Sequence, residues 1–124
     1  MSVVYDAALL VAADRGDRAV WADHQARLEL GVLPMTTGPV VAQVSRSPRQ
    51  VQLRRLLRGC HIEPFTAEQA HTVGELLART RTCDVIDAHL IHCTAQGATV
   101  HTGDPDDLRR LAGHAGKRIR IRRI

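Results

Sequence analysis

Aromatic side chains are nearly absent from this chain. Tyr5, Trp21 and Phe65 are the only ones in 124 residues, so the core has to be built from Val, Leu, Ile and Ala. The same scarcity argues against folds that read nucleic acid by stacking bases on aromatic platforms, such as RNA-recognition motifs and OB-folds. Lysine is scarcer still. Lys117 stands alone beside sixteen arginines, and arginine is the side chain suited to bidentate contact with phosphate or carboxylate. The three cysteines, Cys60, Cys83 and Cys93, are an odd number with no close pair, which implies no disulfide framework and fits a reducing cytosol. Cys93 falls inside an apolar helical stretch and is expected to pack as a small hydrophobe. No apolar run approaches a membrane span, and the N-terminus has no basic leader region, so a cytoplasmic protein without a membrane partner is expected. A nucleophile elbow, a P-loop and a dinucleotide-binding glycine fingerprint are all missing. His89 and His92 share a helix, but no further His or Cys stands at the spacing a closed zinc set needs.

A hydrophobic content of 44% supports one globular domain spanning 1–124. The net charge of +4 favours polyanionic partners. Arg46, Arg49, Arg54, Arg55 and Arg58 crowd the middle, and Lys117, Arg118, Arg120, Arg122 and Arg123 crowd the end. From charge alone each cluster also reads as a solvated basic face. Short β-rich runs alternate with helical stretches. Strands are expected at Ser2–Tyr5, Val32–Thr36, Cys60–Glu63, Ala98–Thr102 and Ile119–Ile121. Helices are expected over Ala7–Ala13, Arg18–Leu30, from Pro39 through Val44, Arg49–Arg58, after a Thr66 cap, over Asp84–Gln96, and from Asp104-Pro105 to Ala112. Burial is expected for Val20, Trp21, Ala22 and Leu28 in the second helix, Val51, Leu53, Leu56 and Leu57 in the basic one, and Ala70, Val73, Leu76 and Leu77 after Thr66. Such alternation predicts an α/β fold of three layers, a mostly parallel sheet of about five strands with helices on both faces.

In that architecture the handovers from strand to helix share one edge of the sheet, where function concentrates. Asp6, Asp84, Asp87 and Asp104 all fall at such handovers or at the start of a helix. Clustered carboxylates repel unless a proton or a cation intervenes, which points to a divalent-metal site. Each acid also has a structural reading. Asp104 before Pro105 looks like a helix N-cap, Asp107 and the Asp84/Asp87 pair suit a helix dipole, and Asp6 could cap the first helix. Asp87 lies furthest inside its helix, next to Ala88, Leu90 and Ile91.

The ordered set Val3-Val4-Tyr5-Asp6-Ala7, Asp87-Ala88-His89-Leu90 and Thr102-Gly103-Asp104-Pro105-Asp106-Asp107-Leu108 resembles a PIN-domain protein. The length and the lack of added domains are similar to VapC-type toxins of bacterial type II toxin–antitoxin pairs. The resemblance covers essentially the whole chain. It implies a PIN-like fold and a Mg²⁺- or Mn²⁺-dependent endoribonuclease, usually a homodimer, neutralised by a VapB-type antitoxin. The family's acids carry over to Asp6, to Asp87 with Asp84 beside it, and to Asp104 or Asp107, with Thr102 in support. A fourth, normally Glu, falls on Gln43 in Pro39-Val40-Val41-Ala42-Gln43-Val44-Ser45-Arg46. Glutamine brings an amide oxygen but no charge, so the metal should bind less tightly. Arg46, Arg49 and Arg54 would then contact RNA or the antitoxin.

Two other readings stand beside this one. A PIN-like module that binds RNA or its partner without cutting is the alternative that Gln43 raises. A receiver-like signalling domain would need a lysine after the last strand, whereas Lys117 precedes it.

Overall fold

Strand and helix alternate along the entire chain: β1 (Val3–Tyr5), α1 (Ala7–Asp14), α2 (Arg18–Glu29), β2 (Met35–Thr37), α3 (Gly38–Val44), α4 (Val51–Arg58), β3 (His61–Glu63), α5 (Ala67–Thr80), α6 (Val85–Cys93), β4 (Thr99–Thr102), α7 (Pro105–His114) and β5 (Arg120–Arg123). The computed structural model describes residues 2–82 and 84–124; Met1 and Cys83 lie outside them. The strands form one sheet in the order β3-β2-β1-β4-β5. Every pairing is parallel, rather than most of them. Parallel strands require crossovers, and the helices that supply them cover the sheet from both sides.

The strand order places the functional edge. From β1 the chain leads outward to β2, whereas from β4 it leads the other way to β5. The neighbours β1 and β4 therefore send their connections in opposite directions, and a crevice opens beyond their carboxyl ends. Asp6 directly follows β1, and Asp104 follows β4 after Gly103.

The core is aliphatic as expected, with Leu9, Leu10, Val40, Leu56, Leu90, Ile91, Val100 and Leu108 buried; Tyr5 is its one fully buried aromatic side chain. Several expected burials do not hold. In α2 the fully buried side chain is His24; Val20 and Trp21 do pack half-buried against the core, whereas Ala22 and Leu28 are exposed. His24 Nδ1 lies 2.9 Å from the Tyr5 hydroxyl, which satisfies a polar ring that an apolar-stripe reading passes over. Val51 and Ala70 are also exposed, so the stripes of α4 and α5 are narrower than expected.

Three boundaries shift for local reasons. The second strand begins at Met35, not Val32, because α2 ends in a left-handed Gly31 (φ 76) whose neighbour Val32 bonds back to the Arg27 carbonyl. Helix α6 stops at Cys93, short of Gln96. Lys117 Nζ donates to the carbonyls of Ile91 and His92 at 2.8 and 2.6 Å, and the Thr94 hydroxyl takes that of Leu90. The last strand runs one residue later at its start and two later at its end. Cys93 is half-buried and touches His89 Nε2 at 3.3 Å as well as Gln69, so it is not packed purely as a hydrophobe. Burial pushes its thiol up to about 11, and that of Cys60 to about 12. Both thiols are free.

Gly59 ends α4 with an ordinary backbone conformation, φ −94, yet a Cβ there would lie 2.9 Å from His24 Nε2 and 3.1 Å from Leu28 Cδ1. His24 is buried and hydrogen-bonded and cannot swing clear. Gly59→Ala is expected to destabilise the fold by about 1–3 kcal/mol through overpacking, measured by urea denaturation. Unchanged stability would mean that His24 is free to move.

Candidate functional site

Four elements build an open cleft of about 230 Å³ lined by Asp6, Ala7, Ala8, Gln43, Asp84, Asp87, Gly103 and Asp104. Asp6 caps α1. Its Oδ1 accepts from the Ala7 N–H at 2.7 Å and its Oδ2 from the Thr102 hydroxyl at 2.7 Å, with the residue 7% exposed. Thr102 Oγ1 in turn accepts from the Asp104 N–H at 3.0 Å. One hydroxyl thus ties the end of β1 to the loop after β4 and fixes both acids relative to each other. Gly103 allows the two segments to approach, because a Cβ there would stand 3.0 Å from that of Ala8.

Asp84 is the N-cap of α6, its Oδ1 accepting from the Asp87 N–H at 3.0 Å. Asp104 occupies the N-cap position of α7, but its side chain makes no capping hydrogen bond. The cap reading that Asp104-Pro105 invites is therefore not realised, and the carboxylate is left to the cleft. Asp107 is exposed, stands beside Asp104 and does not line the cleft; a hydrogen bond and like charge from Asp104 raise its pKa.

The electrostatic focus is Asp87. Burial, then the charges of Asp6 and Asp84, a hydrogen bond with Asp84 and the charge of Asp104 push its carboxyl from 3.8 up to about 7. Like-charged carboxylates sharing a site have this effect, and a cation among them reverses it. Among the described residues no three His, Cys, Asp or Glu side chains already converge as a closed ligand cage. The donor set still fits a small hard divalent ion, since such ions keep several waters and take only one or two carboxylates from the protein. Gln43 on α3 lines the same cleft and adds an uncharged amide.

The structure therefore brings Asp6, Asp84, Asp87, Asp104 and Gln43 together, with Thr102 behind them. It does not bring Arg46, Arg49 or Arg54 to the cleft lining. All three are exposed, and the Arg46 guanidinium spends its hydrogen bonds on the carbonyls of Ala42 and Ser45 at the end of α3. A second polar group escaped sequence reasoning altogether. Arg27 donates to the Tyr5 hydroxyl at 3.1 Å and lies 3.2 Å from His101 Nε2. Burial and the charges of Arg27 and Arg122 hold His101 down at about 4. The available signal was the alternation on β1 and β4, which puts Tyr5 and His101 in one register pair.

These features define an α/β protein with a PIN-like three-layer fold and an acidic cleft at its topological switch point. No protein-family model and no curated protein sequence matches the chain. Among solved structures, the chain is similar to one in the crystal structure of VapBC2 from Rickettsia felis bound to a DNA fragment from their promoter. The TM-score is 0.68 at 17% identity, covering 100% of this chain and 99% of that one. At that identity the likeness establishes the fold.

Proposed function

We propose that this chain is the toxin of a VapBC-type pair, a cytoplasmic Mg²⁺- or Mn²⁺-dependent endoribonuclease that forms a homodimer and is neutralised by a VapB-type antitoxin. The observation that carries this reading is the cleft at the β1/β4 switch point, where four carboxylates crowd together and Asp87 is pushed up to about 7. The full-length likeness to a chain of a VapBC2 complex supports a protein partner of the same kind.

Asp6, Asp87 and Asp104, with Asp84 beside them, would hold the cation, one or two of them directly and the others through its waters. Once bound, the ion would supply charge for the developing phosphorane-like transition state and acidify a water. The protein's own contribution is positioning. Thr102 holds the Asp6 carboxylate by donating to Oδ2, and the same oxygen orders the Asp104 backbone. Asp84 anchors the first turn of α6, which aims Asp87. In the metal-free cleft Asp87 is pushed up to about 7, so it exchanges its proton near neutral pH, and entering positive charge would favour its ionised form. Hydrolysis forms one P–O bond from water and breaks the one to the leaving sugar oxygen, which takes up a proton, leaving a terminal phosphate monoester.

The test is RNA cleavage by the purified chain in Mn²⁺, with Asp6→Ala as the control. RNA left intact in excess Mn²⁺ overturns the enzyme. One observation favours a second reading, a binding module with little catalysis: Gln43 leaves this position of the cleft without a charge. Gln43→Glu is expected to tighten Mn²⁺ binding by about tenfold and to raise cleavage at limiting metal, read by calorimetry and by initial rates. A variant no better than the parent removes Gln43 as the cause of any weakness.

A further inference from the structure

The C-terminal arginines meet Arg27 in a pocket the acidic cleft does not use. Along the parallel pairs, Val3, Thr99 and Arg120 share one register row, and Tyr5, His101 and Arg122 share the row two residues on. Rows two apart face the same side of a sheet. With Arg27 of α2, the residues Val3, Thr99, His101, Arg120 and Arg122 line a cavity of about 280 Å³.

Arg27 is held rigidly there. Besides its bonds to Tyr5 and His101, its guanidinium lies 5.6 Å from the centre of the Tyr5 ring. His101, held at about 4, is neutral at pH 7 and adds no charge of its own. Among the described residues the only ion pairs are His61–Glu63 and Arg109–Asp106, so no carboxylate is paired with Arg27, Arg120 or Arg122. Three guanidiniums around one cavity repel one another; Asp23 is near enough to act on His101 but pairs with none of them, and an oxyanion in the cavity would relieve the repulsion. Arg27 keeps further N–H groups beyond its two bonds, and exposed Arg120 and Arg122 and the Thr99 hydroxyl supply more.

The pocket and the cleft are built on successive residues of the same strands. Tyr5 precedes Asp6 and His101 precedes Thr102, and the Asp6 N–H bonds to the His101 carbonyl at 2.9 Å. A cleft crowded with carboxylates repels a polyanion, so a strand delivered to it needs an anchor. Because successive strand residues face opposite sides of the sheet, an anchored strand would reach the cleft over the carboxyl edge of β1 and β4. Asp17 and Asp23 line the groove beyond His101 and Arg122, which confines the anion to the Arg27–Arg120 end. Two guanidiniums from β5 and one from α2 line the cavity, and such forks bind a phosphate through several oxygens at once.

We propose that this pocket binds a backbone phosphate of single-stranded RNA and anchors the strand whose neighbouring segment enters the acidic cleft; the assignment rests on the ribonuclease reading. The test is anisotropy of a short labelled single-stranded RNA on the full chain in EDTA, where cleavage is off. Arg120→Ala with Arg122→Ala, both at exposed positions, is expected to weaken binding about tenfold and to make the log K against log salt slope shallower by about 1.4, two contacts at ~0.7 each. Arg79→Ala on α5, equally exposed, should change neither beyond a general charge effect, and Arg27→Lys, which keeps the charge but loses the fork, should weaken binding. RNA binding by the double variant with unchanged affinity and slope overturns the proposal. Displacement of RNA from the wild type by poly-glutamate at matched charge also overturns it, and makes this an acidic-peptide site. The two readings fail separately: loss of RNA binding in the double variant supports the anchor even if Mn²⁺ cleavage is never seen, whereas unchanged binding beside active cleavage removes the anchor alone.

Discussion

Asp87→Asn is expected to reduce metal-dependent RNA cleavage on the order of a hundredfold or more and, in the same molecule, to make the metal-free protein more stable. The two effects have one cause. Asp87 sits half-buried among Asp6, Asp84 and Asp104, and its carboxyl is pushed from 3.8 up to about 7. An acid raised on folding contributes its full stability only below its unfolded value. That stability is lost as pH climbs through the folded value, because the unfolded chain then ionises more readily. The Asp87 contribution should therefore be larger at pH 5 than at pH 8. The lowered histidines, His101 above all, favour pH 8, so the effect is read as the difference between the metal-free wild type and Asp87→Asn. Solvent and salt screen a half-buried group, which leaves a difference of about 1–2 kcal/mol, or several degrees in Tm. Asparagine cannot ionise, so the variant keeps only the histidine dependence, gains on the wild type between pH 5 and pH 8, and should match or exceed it at pH 8. Adding Mn²⁺ at pH 8 should raise the Tm of the wild type and leave the variant almost unmoved. Thermal unfolding in EDTA and in Mn²⁺ at both pH values checks this. A stability difference between wild type and variant that is the same at pH 5 and pH 8 would remove the repulsive cluster, and retained cleavage in the variant would remove Asp87 from the chemistry.

Much of this cleft was legible in the sequence because strand-to-helix handovers in a parallel sheet are forced to one edge. Asp6 and Asp104 could be placed there from Val3-Val4-Tyr5 and Ala98–Thr102 alone, without knowing any contact. What periodicity cannot show is where a side chain spends its hydrogen bonds. Asp104-Pro105 has the sequence of a capped helix, yet the Asp104 side chain makes no cap; its backbone N–H is bonded to Thr102 and the residue lines the cleft. Arg46 reads as a free basic group, whereas its Nη1 donates to two carbonyls at the end of α3 and leaves its other guanidinium N–H groups for a partner. His24 and Arg27 were invisible for the converse reason. On α2 the apolar residues suggested a stripe, whereas burial is organised around a Tyr5–His24–Arg27–His101 network that joins residues up to 74 positions apart. Boundaries moved wherever a distant group finished a helix, as Lys117 does for α6.

The Thr102–Asp6 link yields the second large effect. Asp6→Ala should abolish cleavage and also cost about 2–4 kcal/mol of stability, since it removes the N-cap of α1 and orphans a buried hydroxyl. Asp6→Asn separates the two losses. An amide oxygen can still accept from the Ala7 N–H, so most stability should return, while the missing charge keeps cleavage low. Thr102→Val leaves every acid in place but strands Asp6 Oδ2 and the Asp104 N–H, and should cost about 1–3 kcal/mol. Because the two residues share one hydrogen bond, the double variant Asp6→Ala/Thr102→Val should be less destabilised than the sum of the singles, by about 0.5–3 kcal/mol. Urea denaturation of the four proteins measures that coupling. Strict additivity would mean that Thr102 does not hold Asp6, and the acids of β1 and β4 would then have to be positioned independently of each other. A coupling of the expected size makes the hydroxyl the part of the cleft that sets the distance between two like charges, which the repulsion between them would otherwise widen.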